Sequence, residues 1–236
     1  MKSCNKKVII AIVTLFFISI LTFVSFKKAA FNVAFDKNIS HSKDKVLHTF
    51  FKLDKNATFY YSGTLEHVEK ININSIENNN NQTIVNLSSK ILPTNDVNLD
   101  KSKLNIQFSY IFYGDSVRQI IKNSNDIHSQ SIIKDSEILK SPLVVDNSWS
   151  EKFNYKSKEY IASTKITNIG ENPEGKKIVE TETTVNNIEG FVNNTYRELK
   201  TYTEGVGLTS FTRTLPNFGD NQTPGFDFAK KLFKIE

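Results

Sequence analysis

The chain has few of the residues that define small cross-linked proteins or fibrous proteins. Cys4 is its one cysteine, so an intrachain disulfide is excluded and the fold must depend on its core. It has 9 glycines and 5 prolines among 236 residues, which excludes collagen-like and proline-rich chains. The 39% of hydrophobic and 23% of charged residues indicate a globular protein, with one large β domain or two small ones.

Acidic residues are missing from positions 1–28, although the chain as a whole has almost as many acidic as basic side chains. The formal net charge of +5 lies entirely in this segment, in Lys2, Lys6, Lys7, Lys27 and Lys28. Residues 29–236 are therefore neutral by this count. A neutral body offers no bulk basic surface, so we expect no nucleic-acid partner.

Residues 8–26 contain no charged residue, glycine or proline, and about 20 apolar residues suffice to cross a bilayer. The lysines before this run place the N-terminus in the cytoplasm. We predict an uncleaved signal anchor, with the body outside the cell membrane as a single-pass protein. A cleaved signal peptide is the alternative, although the run is long for one and no A-x-A site follows closely. Cys4 precedes the run and cannot serve as the cysteine of a lipoprotein signal.

The chain divides by composition into an anchor at 1–28, a polar juxtamembrane linker at 29–56 and an extracytoplasmic β domain at 57–236. A short helix is predicted near 45–53 within the linker. Asparagine and lysine are the most frequent polar residues, and isoleucine is the most frequent aliphatic residue. This usage is typical of an AT-rich bacterial genome, and we take the source to be a Gram-positive bacterium.

Alternating apolar and polar residues predict three clear hairpins in the body. They cover 103–123, 158–187 and 191–215, with turns at "GD", "ENPEG" and "EGVG". Residues 67–76 predict a strand with one irregularity. After the "NNNN" turn the chain runs back as the next strand. The tail at 226–235 fits either a short helix or a final strand.

Strands that recur at short intervals predict a mainly β fold preceded by one transmembrane helix. We expect a curved antiparallel sheet built from successive hairpins, as a half-barrel or as two packed layers. Its interior is either a filled core or an apolar cavity, and the pattern leaves both open.

Signatures of catalysis and of metal binding are missing from the sequence. The histidines (His41, His48, His67 and His128) form no zinc pattern, and no nucleophile elbow, phosphate loop or calcium loop occurs. Glu180 and Glu182 share a strand face, which is more typical of a solvated surface than of acid–base catalysis. We expect neither a cofactor nor a metal, and a protein that is not an enzyme.

Two segments resemble a family of exported or anchored β-rich proteins of Bacillus- and Clostridium-like bacteria, most of them of unknown function. "EILKSPLVVDNSW" (137–149) is similar to the family's I-L-K-x-P-L-x-x-G-x-x-W segment. "YTEGVGLT" (202–209) is similar to its Y-x-x-G-V-G-L segment. The resemblance implies structural roles for the matching positions and for the glycine turn of the hairpin between the two segments. These residues are Pro142, Leu143, Trp149, Gly175, Tyr202, Gly205 and Gly207.

The chain departs from the family pattern at one turn, where Asp146 and Asn147 replace the glycine before the tryptophan. Both residue types tolerate left-handed backbone, so the turn can survive. Trp149 is predicted to be a core plug that locks this turn, with a ligand platform as the alternative. The resemblance also implies a sheet similar to lipoprotein-carrier half-barrels.

The leading functional hypothesis is a non-catalytic, membrane-anchored binding module that meets an unknown cell-surface protein or apolar ligand. The first alternative is a carrier of lipid or another apolar ligand on the concave face of the sheet. The second is a cryptic cell-wall hydrolase, because carboxylates that meet only in the fold are invisible in the sequence.

Overall fold

The computed structural model describes residues 45–64, 67–79, 81–93, 104–122, 129–217 and 227–236. The predicted anchor at 8–26 and most of the predicted linker lie outside these residues. Within them, every helix is too short or too polar to cross a bilayer.

Twelve strands form a single antiparallel sheet, which confirms a mainly β fold. The strands follow one short helix, α1 (Lys45–Phe50). Their bounds are β1 (Thr58–Gly63), β2 (His67–Asn78), β3 (Gln82–Pro93), β4 (Asn105–Tyr113), β5 (Ser116–Ile121), β6 (Asp135–Lys140), β7 (Ser148–Tyr155), β8 (Lys158–Glu171), β9 (Lys177–Asn186), β10 (Thr195–Thr203), β11 (Gly207–Thr214) and β12 (Asp227–Ile235).

The strand order is β6-β5-β4-β3-β2-β1-β12-β11-β10-β9-β8-β7, so the chain makes two six-stranded meanders. The first and last strands, β1 and β12, pair at the centre, and the edges are the consecutive strands β6 and β7. All three predicted hairpins are confirmed, as β4–β5, β8–β9 and β10–β11. The tail is the final strand rather than a helix. The irregularity predicted in 67–76 is a register shift between Ile73 and Ser75.

Side chains join the two edges of the sheet, so it is one nearly closed, barrel-shaped layer rather than a half-barrel or two layers. The Trp149 indole N–H on β7 donates to the backbone carbonyl of Glu137 on β6, at 3.0 Å. The Glu137 backbone N–H donates to a carboxylate oxygen of Glu151, at 2.6 Å. The Arg118 guanidinium on β5 donates to the other carboxylate oxygen of Glu151, at 2.8 Å. Two side chains of β7 thus satisfy backbone groups that a neighbouring strand would otherwise bond.

The two ends of the barrel-shaped sheet are filled by different segments. Helix α1 closes the end at which the hairpin turns of β4–β5 and β10–β11 lie, and it buries Leu47, Phe50 and Phe51. Residues 129–133 close the other end and are all buried. The folded body therefore includes α1, which the sequence analysis assigns to the linker before residue 57.

Candidate functional site

The "GVG" turn between β10 and β11 holds helix α1 in place. The backbone N–H groups of Gly205 and Val206 donate to the carbonyls of Thr49 and Phe50, at 2.7 and 3.2 Å. These carbonyls belong to the last turn of α1, where the helix itself supplies no donor. The turn therefore acts as the C-terminal cap of the helix.

Gly207 lies directly beneath the ring of Phe51, which explains why this turn needs glycine. A Cβ on Gly207 would lie 3.2 Å from the Cδ1 of Phe51, and the backbone φ is +99°. Gly205 also has a positive φ, of +73°, which favours glycine at that position. The Phe51 ring in turn packs edge-on against Phe112 and contacts Tyr202. Tyr202 is fully buried, and burial raises the pKa of its hydroxyl well above the ordinary value.

Pro142 and Leu143 lie in the β6–β7 connection, outside the strands, where they line an open groove beside α1. The Ser141–Pro142 peptide bond is cis. Asn147 holds the connection by donating from its side-chain amide to the carbonyls of Lys140 and Pro142, at 3.0 and 2.9 Å. Asp146 adopts left-handed backbone with a φ of +69°, as expected for the residues that replace the family's glycine.

The groove has a volume of about 630 Å³ and is mainly aliphatic. Pockets of several hundred cubic ångströms with few polar groups are typical ligand sites. The side chains of Asp115 and Lys177 give it one charge of each sign. Its other lining residues are Val46, Phe50, Ser141, Pro142, Leu143, Ile169 and Val179.

Two of the chain segments that line the groove also carry exposed valines. Val46 on α1 is 51% exposed, and Val144 and Val145, which follow Leu143, are each 50% exposed. Valines of two chain segments thus leave apolar area in contact with solvent around one groove. Apolar side chains that stay exposed beside a groove are a feature of interaction sites.

The interior next to Phe51 is nearly full, in contrast to the groove. A cavity of about 30 Å³ lies there, between Phe51, Tyr61, Tyr110 and the aliphatic side chains of β2 and β3. A space of this volume holds about one water molecule.

A layer of charged side chains crosses the middle of the interior. Among the residues described, the buried charged ones are Glu69, Glu198, Lys200, Arg213 and Lys230. The ammonium group of Lys230 donates to Glu69 at 2.6 Å. Glu69 also accepts from Ser89 and Gln130, at 2.5 and 3.1 Å. This carboxylate therefore has the hydrogen bonds that a buried charge requires.

Glu198 forms the second buried pair, on the inward face of β10. It accepts from Lys200 and from the hydroxyl of Tyr196. Burial opposes ionisation of the carboxyl, but the Lys200 ammonium together with hydrogen bonds from Ser131 and Tyr196 outweighs it, so the pKa of Glu198 is lowered. The ring of Phe211 lies near both ammonium groups, 5.7 Å from Lys200 and 5.5 Å from Lys230. Both carboxylates are therefore enclosed by protein and paired with lysines.

The structure brings some of the sequence-predicted residues together and separates others. Pro142 and Leu143 meet at the groove, while Tyr202, Gly205 and Gly207 gather around α1. Trp149 is buried at the sheet edge. Gly175 is in the β8–β9 turn with a φ of +74°.

The glutamates singled out in the sequence lie on the outer face of β9. Glu182 pairs there with Arg197 at 2.5 Å. Within the described residues, no three side chains of metal-binding type lie close enough to hold an ion.

The sequence analysis missed both the groove and the charged layer. Val46, Phe50, Ile169 and Val179 come from three separate elements, so no local pattern joins them. The layer did leave a signal on β10, where Tyr196, Glu198, Lys200 and Tyr202 alternate with outward residues. That spacing places a glutamate and a lysine on the same face as two buried tyrosines.

No family model matches the chain. None of the curated proteins is significantly similar to it.

Two solved structures resemble the fold weakly. A proposed lipoprotein from Parabacteroides distasonis aligns with a TM-score of 0.41 at 9% identity, over 80% of this chain and 98% of its own. A proposed exported protein with a YmcC-like fold from Bacteroides fragilis aligns with a TM-score of 0.44 at 10% identity, over 80% of this chain and 99% of its own. Likeness at this level shows neither a shared family nor a shared ligand.

Proposed function

We propose that the chain is a membrane-anchored, extracytoplasmic binding module that works without catalysis and accepts an aliphatic group in the groove beside α1. The observation that carries the proposal is the groove itself, with a volume of about 630 Å³ and mainly aliphatic walls. Asp115 and Lys177 supply the few polar contacts by which such sites orient a ligand.

The filled interior of the sheet favours the groove, rather than the concave face, as the place where an apolar ligand binds. The carrier alternative requires space inside the sheet, but helix α1 and residues 129–133 fill its two ends. The cavity that remains inside, next to Phe51, has a volume of about 30 Å³. An aliphatic ligand therefore fits at the end of the sheet, outside α1.

The hydrolase alternative requires carboxylates that a substrate can reach. Glu69 and Glu198 are 0% and 1% exposed, and each already has a lysine partner. These two buried carboxylates are therefore unsuited to acid–base catalysis on a substrate. The resemblance to exported proteins of Bacillus- and Clostridium-like bacteria stays a prediction and agrees with a binding role.

Photolabelling with a diazirine fatty acid tests the groove in the full chain embedded in membranes. We expect adducts on the peptides that contain Leu143 and Val179. Leu143→Asp should reduce this labelling, because a carboxylate on the groove wall opposes entry of an aliphatic chain. Ile161→Asp is the matched control, since Ile161 is 57% exposed on β8, away from the groove.

Two outcomes of the photolabelling would contradict the groove as the binding site. One is labelling confined to the apolar run at 8–26. The other is equal labelling of the groove peptides in both aspartate variants.

Cell fractionation tests the anchor independently of the groove. We expect the protein in the membrane pellet, released by detergent but not by high salt, since the predicted span is apolar throughout. Recovery of the mature protein from the cytosol would contradict the proposed location.

A further inference from the structure

A row of basic and aromatic side chains crosses the outer face at the centre of the sheet. Tyr60 on β1 is directly opposite Lys70 on β2 and Lys234 on β12. Lys70 is in turn directly opposite Lys90 on β3. Three lysines and one tyrosine therefore lie side by side across four neighbouring strands, and we call them, with Phe233, the central basic row.

Like charges at directly opposite positions destabilise a sheet, so the pairing of Lys70 with Lys90 is unfavourable in the isolated domain. Within the described residues, neither lysine has a carboxylate within 4.0 Å. Lys234 does pair with Glu236, which also accepts from the Tyr60 hydroxyl at 2.8 Å. The row as a whole, with three lysines to the one Glu236 carboxylate, keeps an excess of positive charge.

Phe233 adds an exposed aromatic ring to this row. The register between β1 and β12 shifts at this point, because Tyr60 pairs with Lys234 and Tyr61 with Leu232. Phe233 is left without a partner in the bulge and is 58% exposed. Its ring centroid lies 6.3 Å from that of Tyr60. Lys70 and Lys234 lie over the Tyr60 ring, at 5.7 and 5.6 Å from its centroid.

Lysines that flank an exposed phenylalanine and a half-buried tyrosine suit the surface of an anionic bilayer. Aromatic side chains are favoured at the depth of the headgroups. Lysines near an anionic leaflet gain favourable energy there. The predicted span at 8–26 would keep the domain within reach of the membrane, because the intervening residues 27–44 extend by at most about 60 Å.

We infer that the central basic row is a membrane-facing surface, on which Phe233 and Tyr60 enter the headgroup layer while Lys70, Lys90 and Lys234 contact anionic lipid. The inference rests on the anchored location proposed above and does not depend on the groove. It assigns an orientation to the domain, with strands β3, β2, β1 and β12 against the bilayer.

Depth-dependent quenching in nanodiscs tests this orientation in the full chain. Phe233→Cys, made in a Cys4→Ser background, carries a bimane label, and Ile161→Cys in the same background is the control. Ile161 is similarly exposed and lies on β8, five strands from β1 in the sheet order. Brominated phosphatidylcholine should quench the label at 233 strongly when phosphatidylglycerol is present and weakly without it. The label at 161 should show little quenching in either lipid.

Charge removal separates lipid docking from mere exposure of the label. Each of Lys70→Gln, Lys90→Gln and Lys234→Gln should lower the docking equilibrium about fivefold, as expected for one lysine at an anionic surface. Lys152→Gln is the matched control, because Lys152 is an exposed lysine on β7. Raised ionic strength should weaken quenching at 233 in the parent protein.

The outcomes distinguish this inference from the proposed anchor. Failure of the chain to co-elute with nanodiscs would refute the anchor. Co-elution with equal quenching at 233 and 161, or quenching at 233 that does not depend on phosphatidylglycerol, would overturn the membrane-facing surface alone.

Discussion

At the scale of single residues, Trp149 has two roles: its ring fills part of the core, and its indole N–H bonds a strand edge. Its ring is buried in the core, 9% exposed, and its indole N–H bonds the edge strand β6. The ring stabilises by burial, while the N–H satisfies a carbonyl that no strand reaches. The two contributions are measurable separately because phenylalanine keeps an aromatic ring and lacks the donor.

We expect Trp149→Phe to lower the free energy of unfolding by about 1 kcal/mol from the lost hydrogen bond, plus a contribution from the smaller ring. Trp149→Ala should cost about 3–5 kcal/mol, because it removes a large buried side chain. Denaturant unfolding of the detergent-solubilised protein measures both. A loss near zero for the alanine variant would return Trp149 to the role of a ligand platform.

Glu198 links the stability of the core to acid pH. Its pKa is lowered in the folded protein, so the stability it supplies is fully present above its ordinary value of 4.5. That stability is lost as the pH falls from there through the folded-state pKa. We expect Glu198→Gln to flatten the acid limb of a plot of melting temperature against pH.

The same variant should lower stability at neutral pH by about 3–5 kcal/mol, because Lys200 is left as a buried charge without a counter-ion. Glu182→Gln is the control, since its ion pair with Arg197 is on the outer face and should matter by less than about 1 kcal/mol. Equal acid limbs in the parent protein and in Glu198→Gln would contradict the assignment.

At the scale of secondary-structure elements, the β10–β11 turn and helix α1 form one unit. The turn caps the helix through two backbone bonds, and Phe51, the residue after the helix, covers the turn. Neither segment has its native surroundings without the other. Tyr61 on β1 joins the same unit, since its hydroxyl donates to the carbonyl of Leu208 at 2.6 Å.

Gly207→Ala tests this unit. The new methyl group would meet the Phe51 ring at 3.2 Å in a backbone conformation that alanine rarely adopts, so we expect a loss of about 1–3 kcal/mol. Gly170→Ala is the control, because a Cβ at Gly170 would meet no atom within 4 Å and its φ is not positive. Thermal melts compare the two variants, and equal melting temperatures would show that the turn and α1 are not coupled.

At the scale of the whole molecule, the sheet is closed by two unlike joints. The central joint is the backbone ladder between β1 and β12, which brings the first and last strands together. The other joint consists of side chains of Arg118, Trp149 and Glu151 between β6 and β7. Side-chain bonds replace fewer backbone hydrogen bonds than a ladder does, so this joint is the weaker one.

Hydrogen exchange should reveal the difference between the two joints. We expect amides of β6 and β7 to exchange faster than those of β1 and β12, because local opening begins where few backbone bonds cross. Trp149→Phe should speed exchange in β6 and β7 and leave β1 and β12 unchanged. Uniform acceleration over all four strands would indicate that the sheet opens only as a whole.

The strands and their hairpins were predictable from the sequence because each is a local pattern. Alternation of apolar and polar residues identified β4 and the three hairpin turns, and the left-handed backbone of Asp146 followed from its residue type. Closure of the sheet was not predictable, since it depends on side chains of β7 that reach the backbone of β6. The choice between strand and helix for the tail likewise required β1 and β11 as partners.

The sequence by itself determined a mainly antiparallel β body with a neutral charge and predicted an apolar anchor ahead of it. Such features follow from composition and from spacing over a few residues. Only the tertiary structure decided that α1 belongs to the core, that Glu69 meets Lys230, and that Leu143 shares a groove with Val179. These contacts join positions far apart in the chain, and their stability comes from burial, which no local pattern encodes.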